Sequence, residues 1–362
     1  MSIAPSADAE DLRAHLRKFL EKLAGREQLR AGLDADAGYD PALWRRAVDE
    51  LGLAGLLVPE AAGGSAVDLL TSGVVFEELG RALVCAPFLS TIGLATTALL
   101  RVGGADSLLA AIASGTVTTL VWTGDRPSDT DLVWDGTTVT GTAPVVLDGA
   151  DAGRLLVAAR SDEPSDGVVL LHVEAGAAGL TVAPFTTLDS TRRLARVTFE
   201  RAPAQVLAAD VAGALDDAVA VGSLLLGAEQ VGVAQRALEM SVDTARTRVQ
   251  FGRPIGSFQA VKHRCADMLV DVELSRSLVY NALAAVDADP GAATLEASLV
   301  RGFVSDACLS VTASNIQVHG GIGFTWEHDA HLYLKRAKAS QLLFGPPTAH
   351  RRRAAELLGV QP

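Results

Sequence analysis

TRVQFGRPIGSFQAVKHRCADM, residues 247–268, joins the end of one helical run to the start of another. Pro254 has no N–H and its ring would clash inside a helix, so the first run must end or kink there. Ser257 is a candidate N-cap for the second run. Val261, Cys265, Met268 and Val272 then recur at helical spacing, as one buried stripe would. Arg246, Arg248 and Arg253 gather around this helix–helix corner. Arginine offers a planar fork of donors, which suits phosphate or pyrophosphate. The spacing alone also fits a solvated, salt-bridged helix end.

On either side of the corner the chain is helical. From about Val211 to Leu358 it is Ala- and Leu-rich, with long helices expected near 211–250, 257–287, 292–318 and 326–343, broken at Pro254, Pro290 and Gly320-Gly321. Four long helices on short connections make a bundle. Upstream, residues 116–206 change texture. TVTTLVW, TTVTGT, PVVLD, RLLVAA, GVVLLHV and ARVTF are short β-branched runs, punctuated by Asp135-Gly136, Asp148-Gly149 and Asp166-Gly167. That texture predicts a compact, barrel-like β domain between helical halves. His172 lies within one of these runs and reads as structural. From Ala7 to Gly115 the pattern is helical again. Leu12, Leu16, Phe19, Leu20 and Leu23 mark one face of a first helix, and Asp40-Pro41 opens a later one as N-cap and first position. Glu77 and Glu78 point apart on a helix and read as surface charge. The expected fold is therefore mainly α with a middle β domain: a helical domain over 1–115, the β domain over 116–208 and the bundle over 209–362.

Composition narrows the function. With 362 residues, 49% hydrophobic and 20% charged, the chain can bury a large core in two to three domains. A net charge of -12 argues against nucleic acid, which needs a basic footprint. Cys85, Cys265 and Cys308 are odd in number and far apart, which opposes a disulfide framework or zinc site. They read as small apolar residues in helices. The N-terminus is charged and amphipathic, unlike a signal peptide. No apolar run of about 18 residues escapes a charge or break, so no membrane span is expected. A cytoplasmic setting is the expectation.

Three ordered motifs carry a family resemblance. RTRVQFGRPIGSFQAVKHRCADM resembles the R-x-x-F-G-x-x-I-x-x-F-Q signature of the acyl-CoA dehydrogenase superfamily. Gln317-Val318-His319-Gly320-Gly321-Ile322-Gly323-Phe324 resembles its Q-x-x-G-G-x-G-[FY] segment. Trp44, LGLAGLLVPEAAGG (51–64) and FEELGR (76–81) complete the set. The resemblance implies the helical–β–helical order, FAD as cofactor, and α,β-desaturation of an acyl-CoA thioester. A carboxylate would take the α proton while the β hydrogen leaves as hydride to the flavin.

Two of the implied parts are missing. Most relatives carry the base just before the glycine of a [YF]-E-G-T segment, where this chain has Phe344. A second group carries it on the helix before R-x-x-F-G, where this chain has Gly222. Glu229, about 10 Å further along that helix, is the remaining candidate there. Asp216 and Asp217 lie nearer the helix start, so the catalytic residue stays unknown. Relatives cradle their own flavin ring with T-E-P-G-x-G-S-D and W-I-T-N-G. Here those positions read WTGDRPSD (122–129) and VVLDG (145–149), with a donor hydroxyl lost at about 0.5–1.5 kcal/mol.

The segments that reach a neighbouring subunit's FAD are intact: Arg248, Phe251, Phe258, Gln259, Gln317, Gly320 and Gly321. The glycines would let backbone approach the ligand closely. The pattern implies a subunit of a heterotetramer that completes the FAD site of a base-bearing partner, with an electron-transfer protein as acceptor. Drift of the β segments is a second explanation. It would leave a homotetrameric dehydrogenase with an unusual base, or a different flavin reaction on the same fold. A purely structural subunit is a third, opposed by the intact Arg248 and Gln317 motifs. Few bulky aromatics and many Ala and Gly positions hint at a wide pocket for a branched or polycyclic acyl chain.

Overall fold

The computed structural model describes residues 5–34 and 39–360. Helices α1 (Ala7–Leu23), α2 (Arg26–Asp34), α3 (Pro41–Leu51) and α4 (Leu69–Arg81) come first. A π-helical segment, Leu89–Thr96, runs into α5 (Thr97–Val102), and α6 (Asp106–Ala113) follows. Eight strands come next: β1 (Thr118–Val121), β2 (Val133–Trp134), β3 (Thr138–Leu147), β4 (Arg154–Ser161), β5 (Val168–Glu174), β6 (Leu180–Pro184), β7 (Leu194–Pro203) and β8 (Gln205–Ala208). The chain then becomes helical: α7 (Ala212–Thr247), a small hairpin of β9 (Val249–Gln250) and β10 (Arg253–Pro254), α8 (Gln259–Ala288), α9 (Ala293–His319), α10 (Ala330–Leu342) and α11 (Pro347–Leu357). The mainly α architecture with a middle β domain is as expected. Two compact units account for it, one from the described residues of Met1–Ala31, Leu69–Val84 and Leu224–Pro362, the other from those of Gly32–Asp68 and Cys85–Ser223.

In the second unit the sheet order is β6-β7-β3-β2-β4-β5-β8, with β1 added in parallel to β4. Inward residues such as Val121, Trp134, Val139, Leu155, Val157 and Phe199 form its core. TTVTGT and PVVLD, read as two runs, are one strand, β3. Pro144 is tolerated because the β3–β7 register shifts between Ala143 and Val146, where a ladder donor is not required. Strands β2, β6 and β8 were not anticipated. Asp40 caps α3 as expected, accepting from the Ala42 N–H at 2.8 Å.

The first unit corrects several expectations. Glu77 and Glu78 share Arg13 and otherwise have different neighbours, but both are buried, at 3% and 1% exposure. Glu77 meets Arg13 at 3.1 Å, Arg276 at 3.1 Å and the Tyr280 hydroxyl at 2.6 Å. Glu78 accepts from Arg17 at 2.9 and 2.5 Å and from Arg13 at 3.3 Å. Burial alone would raise the Glu77 pKa. The Arg13 and Arg276 charges and the Tyr280 hydroxyl outweigh it and hold the carboxyl below its ordinary value.

Ser257 is not an N-cap. It ends a short 3-10 turn, and α8 begins at Gln259 behind Phe258. Of the expected α8 stripe, Met268 and Val272 are buried, while Val261 and Cys265 are half-buried. Cys85 is buried in a connection rather than a helix. A fifth helix, α11, extends the C-terminal run. Helix α7 is the one described helix long and apolar enough to cross a membrane, although Asp216, Asp217, Glu229 and Arg236 interrupt it. Its most apolar window is 94% buried within the protein, as in a core helix.

Candidate functional site

The corner between α7 and α8 is built by a two-residue hairpin. Phe251 and Gly252, with φ of 53° and 76°, turn the chain between Gln250 and Arg253. A non-glycine residue in that region costs about 1–3 kcal/mol, and Phe251 bears it while 89% exposed. Its ring sits edge-on to Phe258, centroids 6.0 Å apart, and Arg253 stacks over Phe258 at 4.1 Å.

Arg248 turns the other way. Its Nη1 donates to the His319 carbonyl at 2.7 Å, tying the end of α7 to the end of α9. Its Nε and Nη2 meet no acceptor among the described residues. His319 is itself fixed. The Asn315 carbonyl can only accept, so Nδ1 carries a proton and donates to it at 2.8 Å, and Nε2 lies 2.8 Å from the Thr244 hydroxyl. Thr244 and His319 were not singled out in the sequence, because their part is to place Arg248 through a backbone carbonyl.

Gly320 follows directly, with φ 67°. A Cβ there would lie 3.8 Å from Arg248 Nη1, and one on Gly321 would meet nothing within 4 Å. The structure thus brings Arg248 and Gly320 together, and Phe251 with Phe258. Gln259 stands exposed in the first turn of α8 and Gln317 in the last turn of α9. Neither is hydrogen-bonded to the other corner residues among those described. Open donors on a fixed guanidinium, beside glycine backbone with free space above it, fit a pyrophosphate.

The two β segments do not fit a flavin ring in the same way. In residues 122–129, Ser128 spends both its N–H and its hydroxyl on Asp216, at 3.0 and 2.8 Å. Thr123 bonds Asp131, and Arg126 forks onto Asp129 at 3.1 and 3.2 Å. In residues 145–149, Val146 and Leu147 turn into the core, and Asp148, with φ 51°, accepts from the Ser90 hydroxyl at 2.6 Å. Thr123, Arg126 and Ser128 thus spend side-chain donors within the chain, and residues 145–149 carry no hydroxyl or indole donor.

The candidate positions 229, 222 and 344 give no open base. Glu229 pairs with Arg336 at 3.0 Å, both buried, and Arg336 also donates to the Val84 carbonyl at 3.0 Å. At Gly222 a Cβ would lie 2.5 Å from Leu94 Cδ2 and 3.1 Å from the Gly93 carbonyl, so a side chain there requires Leu94 and the Gly93 backbone to shift. Phe344 is half-buried with φ 61°, in a turn held from two sides. Arg301, fully buried, donates to the Ser340 and Leu343 carbonyls at 2.6 and 2.7 Å. His350 Nε2 donates to the Phe344 carbonyl at 2.9 Å.

Two family models match the chain, the acyl-CoA dehydrogenase N-terminal domain over residues 6–115 and the acyl-CoA dehydrogenase C-terminal domain over residues 213–359. The acyl-CoA dehydrogenase IpdE2 of Mycolicibacterium smegmatis is 38% identical over 348 residues, 96% of this chain and 98% of that protein. The ChsE4–ChsE5 complex from Mycobacterium tuberculosis contains a chain of TM-score 0.89 and 27% identity, with 100% of both chains covered. A variant of the Tcur3481–Tcur3483 steroid ACAD gives a TM-score of 0.86 at 29% identity, over 97% of this chain and 98% of that one.

Proposed function

We propose, on the premise that this chain belongs to the acyl-CoA dehydrogenase family, that it completes the FAD site of a related, base-bearing partner subunit. Membership makes it an FAD-dependent oxidoreductase acting on acyl-CoA. The observation that carries the finer reading is a contrast within the chain. Its Arg248 corner is open and furnished for pyrophosphate, while the positions 344 and 222 hold Phe and Gly and Glu229 is locked on Arg336.

The division of labour follows from those residues. When bound, FAD supplies the hydride acceptor for desaturation. Arg248 contributes a charge-assisted donor to the pyrophosphate, placed in advance by the His319 carbonyl. Gly320 and Gly321 let backbone approach the same group. Phe251, Phe258, Gln259 and Gln317 line the flanks of the corner. The partner supplies the base and the flavin cradle in a heterotetramer. Two solved relatives are named as pairs of different subunits, which supports a mixed assembly. The name steroid ACAD on one of them supports a bulky, polycyclic acyl group as substrate. An electron-transfer protein takes the electrons onward, in the cytoplasm.

Flavin stoichiometry tests this. Co-purified with its base-bearing relative, the chain should give about one FAD per unlike pair, and alone it should be flavin-poor. A yellow homo-oligomer with one FAD per chain and acyl-CoA activity would overturn the reading.

A further inference from the structure

Asp216 lies in α7, in the same unit as residues 122–129. Its carboxylate collects three groups from that segment. Ser128 N donates to Oδ1 at 3.0 Å, Ser128 Oγ donates to Oδ2 at 2.8 Å, and Arg126 Nη1 lies 3.7 Å from Oδ2. The Asp216 side chain is 13% exposed, so little water competes for these donors. A backbone N–H, a hydroxyl and a guanidinium converging on one point are what an anion needs. Here the chain supplies the anion itself.

We propose that Asp216 is a built-in occupant that keeps the Arg126–Ser128 donors from an external phosphate group, and so keeps this chain's own β unit free of cofactor. This rests on the reading that the chain serves a partner's FAD. An incoming phosphate would have to displace Asp216 from donors that meet it without any loss of translational freedom. It would also meet the carboxylates of Asp216 and Asp129 at close range, where like charges repel. The loss of flavin from this unit is therefore an active contact. It goes beyond the missing threonine hydroxyl of residues 145–149.

The test is gain of binding. Wild type, Asp216→Ala and Asp216→Asn are titrated with inorganic pyrophosphate by calorimetry and with FAD by fluorescence quenching, with circular dichroism as the check on folding. Asp216→Ala should bind both probes about tenfold more tightly than wild type, the change one charge-assisted hydrogen bond makes. Adding Ser128→Ala to it should remove the gain. Asp216→Asn, which keeps the shape and loses the charge, should gain less and covers the case in which the alanine variant fails to fold. Folded variants that bind neither probe more tightly than wild type overturn the inference, even if the assembly holds one FAD per unlike pair. One FAD on every wild-type chain would overturn the partner reading and this inference together.

Discussion

Glu229 and Arg336 face each other as an ion pair, Oε1 to Nη1 at 3.0 Å, with side chains 8% and 5% exposed. Removing one member of a buried pair leaves the other charge uncompensated, which costs about 3–5 kcal/mol. Glu229→Ala should therefore shift the chemical denaturation midpoint strongly downward. Glu229→Gln keeps an acceptor for Arg336 and tests chemistry instead. Folded protein carrying it, in the assembly, should still show acyl-CoA-dependent bleaching of flavin absorbance. If bleaching disappears while the fold persists, Glu229 is the base and the partner is not needed for it.

Arg248 is exposed, and among the described residues its side chain is tied to the His319 carbonyl alone. Arg248→Ala should leave the fold intact and weaken FAD retention in the co-purified assembly by about 1.5–3 kcal/mol, a charge-assisted bond. Equilibrium dialysis of the flavin measures it. Unchanged retention would remove Arg248 from the cofactor site.

Some of this was legible in the sequence because local chemistry enforces it. Pro254 bars a helix through the corner, although α7 already stops at Thr247, and Asp40-Pro41 starts a helix. The β-branched runs declared the sheet for the same reason. Other features depend on partners far along the chain. Glu77 and Glu78 look like solvated charge until Arg13 and Arg17 arrive from α1 and Arg276 and Tyr280 from α8. Ser257 looks like a cap until the chain spends it in a 3-10 turn. The corner's anchor was invisible because Arg248 bonds a backbone carbonyl, which every residue carries. Asp216 showed only as a carboxylate near the start of a helix, since its meaning lies in Ser128, far off along the chain.

The Glu77 cluster sets a pH dependence. Its carboxyl sits below the ordinary value of 4.5 in the fold. On acidification the unfolded chain therefore takes up the proton first. The stabilisation is complete above the unfolded value and is lost as pH falls through the folded one. Denaturation midpoints of wild type should drop across that acidic window. Glu77→Gln should be less stable at neutral pH, by about 3–5 kcal/mol for a broken buried network, and should show a flatter acid limb. Parallel curves for the two proteins would mean that Glu77 adds nothing to the pH dependence.

Phe344 gives the sharpest test of the missing base. The turn around it is already built. Arg301 holds the Leu343 carbonyl at 2.7 Å, and His350 holds the Phe344 carbonyl at 2.9 Å. Burial first, and then the Arg301 charge, push the His350 pKa down to about 4, so near neutral pH the ring is neutral and donates through Nε2. The backbone at position 344 already bears a φ of 61°, so glutamate meets the same strain as phenylalanine. Phe344→Glu should thus fold, with a melting temperature near wild type. A half-buried carboxylate there would have its pKa raised by desolvation, which suits proton abstraction near neutral pH. Base and hydride acceptor must still lie together within attack distance. Residues 122–129 and 145–149 offer no ring cradle in this chain, so Phe344→Glu alone should not create acyl-CoA-dependent flavin bleaching. Bleaching by the variant expressed without a partner would mean that this chain carries a flavin of its own, placed against position 344.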